Sequence, residues 1–412
     1  MSRTKAVLDG KIRITDHIGL GALTRFVPAQ EITAVLKQTQ TQSQRERLLP
    51  ARVMVYYVMA LSLLMQVETR EVLRWLLEGL KWLGIAHVPV AGKAGISLAR
   101  TRLGWKPLQE LYRRLVYPRA TNKVKGAFYR EWRLVSMDGT ILDVPDTKEN
   151  LAAFKKPKGG RGKSAFPQIR AVALVENGTH ILCGAVMDGC RTSEKALAKK
   201  VIDTMKQGML CLADRYYPSF ELWAQALATG ADLLWRVPAQ WKLPVLKALP
   251  DGSYISEIHP YRQKHRGAEK IQVRVIEYKL TGEGAGNETY RLITSILDEA
   301  KAPAKELAAL YCKRWEIETS LDELKTHLRG SNIVLRSKTP DLVRQEFYGL
   351  MLTHAAIRTV MLEAAVSADI DPDRLSFLHT VRVIRRKLPR FTAALSPSGT
   401  ATTISGSHTG SS

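Results

Sequence analysis

Two short apolar runs constrain this chain more than anything else in it: LVSMD, ending at Asp138, and LCLAD, ending at Asp214. Each reads as a strand that stops on an acid. Strand ends in α/β folds put side chains at the rim of the sheet, where ligands bind. Two adjacent parallel strands would bring these two carboxylates together across the intervening chain. The segments around them fit. QIRAVALVENGTHILCGAVMDG reads as a hairpin with Asn177-Gly178 at the turn, and ADLLWRVP as a further strand. SEKALAKKVIDTM and PSFELWAQALATG read as helices. The order is three strands, helix, strand, helix, strand, which predicts a mixed α/β core with helices on its faces. An acid at a strand end is as readily a cap or turn residue, and Asp143, Asp146 and Asp188 are rivals in similar settings.

A third acid lies in the run YCKRWEIETSLDELK, within a helix expected from about Pro303 to Leu328. Tyr311, Arg314, Glu318 and Lys325 follow one another at helical steps and share one face. A stripe of Arg, Glu and Lys does not face a core. It is either an exposed ion-pair stripe, with Glu316 and Asp322 offering other pairings, or a site. As a site, Glu318 would bind metal, Arg314 and Lys325 would meet phosphates, and Tyr311 would hydrogen-bond a phosphate. Three carboxylates suit hard divalent cations, Mg²⁺ or Mn²⁺, and two such ions about 3.5–4 Å apart can share them around a phosphodiester.

Charge points the same way. Sixty-two Lys and Arg against 39 Asp and Glu leave a formal charge of +23 over 412 residues, which favours a polyanionic partner. Candidate basic contacts are Arg215, the glycine-rich loop KKPKGGRGKSAF with Arg161 and Lys163, and SLARTRLGWKPLQELYRRL with Arg100 and Arg102. A solvated helix face or loop is the competing reading of each. The cysteines Cys183, Cys190, Cys211 and Cys312 form no CxxC pair and suggest inert thiols in a reducing compartment. The first residues show no signal-peptide pattern, and the apolar window Val53–Met65 is short for a membrane span, so a buried helix and a cytoplasmic protein are expected. Residues 1–125 read as a helical DNA-binding domain and 126–390 as the catalytic domain, with 240–293 a β-rich insertion. Further helices are expected over 340–363 and 374–387, and residues 391–412 read as a disordered polar tail.

The run Y-x2-R-x3-E-x6-K resembles the signature of the IS-four family of bacterial insertion-sequence transposases, in the DDE superfamily. Here it is Tyr311, Arg314, Glu318 and Lys325. MDGTILDVPDTKEN and KGGRGKSAFPQIRAVALVENG resemble the first-aspartate region, and LADRYYPSFELW the second, with Tyr217 where Phe is common. LLPARVMVYYVMALSLLMQ through ISLARTRLGWKPLQELY is similar to the family's N-terminal region, and LSFLHTVRVIRRKLPR to its C-terminal one. The similarity covers roughly residues 15–390. It implies an RNase H-like core with a β-rich insertion, and catalysis by Asp138, Asp214 and Glu318 holding two Mg²⁺ ions. It implies cleavage at terminal inverted repeats to leave a 3′-hydroxyl, a hairpin in studied members, and strand transfer into target DNA by a homodimer. It also implies that Trp315 handles a flipped base near the hairpin. Two other readings use the same residues: a non-catalytic, transposase-derived DNA-binding regulator, and a stand-alone metal-dependent nuclease.

Overall fold

A computed structural model describes residues 20–43, 49–81, 90–157, 165–260, 269–279, 289–330 and 334–387. The chain opens with six helices: α1 (Leu20–Phe26), α2 (Ala29–Gln38), α3 (Ala51–Leu63), α4 (Thr69–Lys81), α5 (Lys93–Leu103) and α6 (Lys106–Leu115). Every residue of α3 from Met54 to Leu63 is buried. A helix apolar all round needs partners all round, and its main one comes from the far end of the chain, α12 (Pro340–Ser367). Gly349 permits the approach, since a Cβ there would lie 2.6 Å from Val58 Cγ1. Thr353 Oγ1 donates to the Met59 carbonyl at 3.1 Å. The C-terminal carbonyls of α3 have no polar side chain of their own helix to meet. Arg336 reaches the Leu61 carbonyl at 2.6 Å and Arg385 the Leu63 carbonyl at 2.6 Å, cations at the negative end of the helix.

The 28 residues of α12 are long and apolar enough to cross a bilayer, a feature the sequence reading passed over. Its apolar window is 72% buried inside the protein, as the central helix of a core shared with α1, α3, α5 and α6. That core includes the buried residues of α13 (Phe377–Lys387) as well.

The middle of the chain forms a mixed sheet. Its strands are β1 (Phe128–Tyr129), β2 (Trp132–Asp143), β3 (Gln168–Glu176), β4 (Ile181–Gly189), β5 (Met209–Ala213), β6 (Asp232–Arg236), β7 (Lys247–Ala248), β8 (Tyr254–Ile258), β9 (Ile271–Lys279) and β10 (Thr289–Thr294). The order is β4-β3-β2-β5-β6-β10-β9-β8-β7, with β1 beside β2. β2, β5 and β6 run parallel to one another, and β3 and β4 fold back antiparallel. Two helices of the expected order are present, α8 (Glu194–Ile202) and α9 (Phe220–Ala228). An extra one, α7 (Lys148–Phe154), starts where Thr147 Oγ1 accepts from Asn150 N at 3.2 Å. A helical N-terminal region followed by this mixed sheet is consistent with an RNase H-like fold.

The strands of the 240–293 segment do not form a separate unit. β10 pairs with β6, and β9, β8 and β7 continue the same sheet outward. The four cysteines are unpaired, and burial pushes the Cys211 thiol up to about 12. The glycine-rich loop carrying Arg161 and Lys163, and the expected tail, lie outside the described residues.

Arg100 corrects one expectation. It is 7% exposed and faces the core, not DNA. Its guanidinium donates to Gln345 Oε1 at 2.8 Å, Ser337 Oγ at 2.9 Å and the Leu342 carbonyl at 3.3 Å, so it fastens α5 to the start of α12. Its neighbour Arg102 is exposed. Removing Arg100 leaves buried acceptors without a donor, so Arg100→Ala should lower unfolding free energy by about 3 kcal/mol in urea titrations. The salt dependence of DNA affinity should be unchanged by it, whereas a phosphate contact would change that slope by about one.

Candidate active site

Asp138 and Asp214 meet because of strand register. The last paired step between parallel β2 and β5 is Met137 opposite Ala213, and the two acids are the next residue on each chain. A side chain after Asp138 would have to displace the Glu194 carboxyl, since a Cβ on Gly139 would lie 2.7 Å from it. The Gly139 amide donates to Asp138 Oδ1 at 2.7 Å and the Arg215 amide to Asp214 Oδ1 at 2.5 Å, so each carboxylate is oriented by the backbone that follows it.

The third acid arrives on one continuous helical run that changes pitch three times. It begins as α10 (Ala304–Leu310), tightens to a 3₁₀ turn over Tyr311–Arg314, proceeds as α11 (Trp315–Asp322) and widens to a π-helix over Glu323–Leu328. In a 3₁₀ turn residues three apart eclipse, so Tyr311 and Arg314 stack along one line. The following α-turn carries Glu318 to nearly the same side. Arg314 then bridges two carboxylates from distant parts of the chain. Its Nη2 donates to Glu318 Oε1 at 2.8 Å, and its Nη1 lies 3.4 Å from Asp138 Oδ2. The guanidinium is buried, which opposes its charge, yet the Glu318 bond and the nearby acids hold its pKa above the usual value.

The setting of Asp138 perturbs its carboxyl. Burial raises its pKa to about 6; the Gly139 amide and Arg314 oppose the rise, while the charges of Asp214 and Glu318 add to it. Oxygen donors of this kind suit a hard divalent cation. Among the described residues, no three acidic, histidine or cysteine groups already form a cage ready for a metal. The positive charge standing between Asp138 and Glu318 is the guanidinium of Arg314. The rival acids have structural partners: Asp143 accepts from Gln168, Asp146 pairs with Lys156, and Asp188 accepts from Gly189 N and Thr192.

The other residues of the helical run take different positions. Tyr311 was expected at a phosphate. Instead it is buried, and its hydroxyl donates to the Ala213 carbonyl at 3.2 Å, pinning the helix beside Asp214. Trp315 is 62% exposed, so it is not a core tryptophan, and the Arg314 guanidinium lies 5.2 Å from its ring centroid. Lys325 is half-buried in the π-helical segment. Arg215 is exposed and lines a cleft of about 510 Å³ with Asp214, Tyr216, Arg236 and Thr289. Tyr216, Arg236 and Thr289 were not read from the sequence; they reach the cleft from three separated segments, and only the Tyr216 position, two past an acid, carried a local hint.

On the opposite side, the start of the π-helix is held by a buried charge cluster. Arg358 Nε donates to Glu323 Oε2 at 2.8 Å, a second Arg358 nitrogen pairs with Glu323 Oε1, and His354 Nε2 lies 3.4 Å from Glu323. Burial alone would raise the Glu323 pKa. Hydrogen bonds from His180 and His354 and the Arg358 charge outweigh it and keep Glu323 well below the usual carboxylate range.

Known proteins resemble the chain along most of its length. Residues 17–113 match the family described as insertion element 4 transposase N-terminal, and residues 131–355 match the transposase DDE domain. The transposase InsG for insertion sequence element IS4, from Escherichia coli strain K12, is 28% identical over 377 residues, 90% of this chain and 83% of the relative. A putative transposase InsZ of the same strain is 27% identical over 191 residues, 46% of this chain and 64% of its own length. Putative transposase y4zB of Sinorhizobium fredii strain NGR234 is 24% identical over 160 residues, 37% of this chain and 43% of its own. With a DDE domain matched over more than half its length and the IS4-type N-terminal region ahead of it, the chain belongs to the IS4 family of DDE transposases.

Proposed function

We propose that the chain is a DNA transposase that cleaves at the ends of an insertion sequence and joins the resulting 3′-hydroxyl ends to target DNA. Asp138, Asp214 and Glu318 are the catalytic residues in this reading, and they hold two Mg²⁺ or Mn²⁺ ions. The observation that carries it is the convergence of Asp138 and Asp214, each one residue past the last β2–β5 pair although β2 itself runs on to Asp143, with Glu318 joined to Asp138 through Arg314. When bound, the ions would activate the attacking oxygen and neutralise charge developing on the leaving oxygen.

The rest of the chemistry belongs to the chain itself. Asp138 must lose its proton to act as a ligand, and burial makes that loss harder than for an ordinary aspartate. Arg314 stabilises the ionised acids and would add positive charge toward a DNA phosphate at the site. Trp315, exposed beside it, offers a face on which an unpaired base stacks. Arg215, Lys325 and Arg102 supply positive charge toward phosphates, Arg215 from beside the cleft next to Asp214. The partners are double-stranded DNA with terminal inverted repeats and target DNA, engaged by a homodimer acting in the cytoplasm on the nucleoid. The net charge of +23 supports a polyanionic partner.

The direct test incubates purified protein with Mg²⁺ and labelled DNA bearing the ends of its own element. Asp138→Ala, Asp214→Ala and Glu318→Ala should each cut cleavage and joining on the order of 100- to 1,000-fold while still binding the DNA. Cleavage that persists in all three variants would sink the assignment. Cleavage without any joined product would favour a nuclease, and specific binding without cleavage in the wild type a regulator.

The Asp138 carboxyl makes a pH prediction with opposite signs for stability and activity. Its folded pKa, about 6, lies above the unfolded value. The folded cation-free protein therefore binds this proton more tightly, and this group's contribution to stability falls as pH rises from about 4 to about 6. Cation-dependent cleavage should run the other way, declining as pH drops through about 6 because the proton competes with the ion. A pH–rate profile flat from about 5 to 8 would exclude Asp138 as a ligand.

A further inference from the structure

The turn between β3 and β4 does not behave as a surface turn. Asn177, Thr179 and His180 are all buried, and the helical run carrying Glu318 covers them. Gly178 adopts φ +77°, and a Cβ there would lie 2.5 Å from the Lys125 carbonyl oxygen and 2.8 Å from Ala127 N. Glycine is required at that position on both counts.

Each residue of the turn faces a different element. The Asn177 amide nitrogen of the backbone donates to the Leu134 carbonyl at 3.1 Å. Its side-chain Oδ1 accepts from Ser136 Oγ at 2.9 Å, and its Nδ2 donates to the Lys313 carbonyl at 2.8 Å. The Gly178 amide donates to Glu316 Oε2 at 2.5 Å. His180 Nδ1 accepts from Arg358 at 2.6 Å. Ser136 stands two residues before Asp138, on the same face of β2. Lys313 immediately precedes Arg314. One fully buried carboxamide thus connects the strand of the first acid to the helical run of the third.

We infer that Asn177 is a positioning residue for the acid site. It sets the distance between the Asp138 face of β2 and the 3₁₀ turn that presents Arg314 and, one turn on, Glu318. A carboxamide suits this place because it accepts from a hydroxyl and donates to a carbonyl in one plane; an aspartate would set an oxygen against the Lys313 carbonyl, and an alanine would leave both partners unsatisfied. Outer partners of this kind govern how well acids gather around a cation. The inference rests on the assignment of Asp138 and Glu318 as cation ligands.

The test compares wild type, Asn177→Ala, Ser136→Ala and a control, Thr147→Ala, which removes the cap of α7 and none of the contacts described for the acids. Two quantities are read: the rise in Tm produced by saturating Mn²⁺, and the Mn²⁺ concentration for half-maximal cleavage of element-end DNA. Asn177→Ala should need about tenfold more Mn²⁺ and show a smaller Mn²⁺-induced rise in Tm. Ser136→Ala, which removes one hydrogen bond only, should move both in the same direction by less and covers the case in which Asn177→Ala does not fold. Affinity for the DNA without added metal should stay within about twofold of wild type, since no DNA contact is lost. A metal response in Asn177→Ala and Ser136→Ala equal to wild type, or a change matched by Thr147→Ala, overturns the inference and leaves the site assignment standing. No Mn²⁺ response in the wild type by either measure would overturn the site assignment, and this inference with it.

Discussion

One guanidinium makes the site possible. Asp138 comes from the middle of a strand, Asp214 from the end of its neighbour, and Glu318 from a helix a hundred residues later. Three carboxylates gathered in a partly buried place repel one another, and without a compensating charge the helix would be pushed off the sheet. Arg314 supplies that charge from within the same helical run, so the run carries both the problem and its remedy. The Tyr311 hydrogen bond to the Ala213 carbonyl, the Asn177 carboxamide and the Glu323–Arg358 cluster then fix the run from three further directions. The supports are mostly backbone contacts or buried ions, so they resist a shift in helix position more firmly than apolar packing does.

Pitch changes adjust how a single helical run meets these partners. An unbroken α-helix rotates by about 100° per residue, which keeps Tyr311, Arg314 and Glu318 on one face and turns Glu323 away from it. The 3₁₀ turn aligns Tyr311 with Arg314, and the π-helix opens at the residue that must turn toward α12. Irregular pitch of this sort is common where a helix carries function.

The succession of strands and helices along the chain was legible in the sequence because the signals are local. Apolar runs ending on Asp138 and Asp214, an Asn-Gly turn and glycine-terminated helices each declare themselves within a dozen residues. The polar spacing of the Glu318 run was equally visible. What escaped was everything decided by contacts between distant segments. Arg100 sits in a stretch as basic as any DNA-binding helix, yet its partners Ser337, Leu342 and Gln345 are more than 230 residues away, and nothing near Arg100 announces them. Tyr311 was placed on the correct helix face, but its hydroxyl meets a strand carbonyl that the sequence pattern does not mark. The 240–293 strands were identified as strands; that they extend the central sheet depends on the pairing of β10 with β6, which no local pattern encodes.

The partnership of α3 with α12 sets an order of events during synthesis. Gly349 lies 349 − 58 = 291 positions after Val58, which it approaches closely. As the chain emerges, α1, α2, α4 and α5 can pack on α3, but the face that α12 covers stays open until α12 is made. The sheet strands, all made before α12, can pair first. The N-terminal helices therefore complete their packing last, although they are made first. A chain truncated before residue 340 would keep Asp138, Asp214 and Glu318 yet leave the α12-facing side of α3 uncovered, so loss of the C-terminal helices acts through folding.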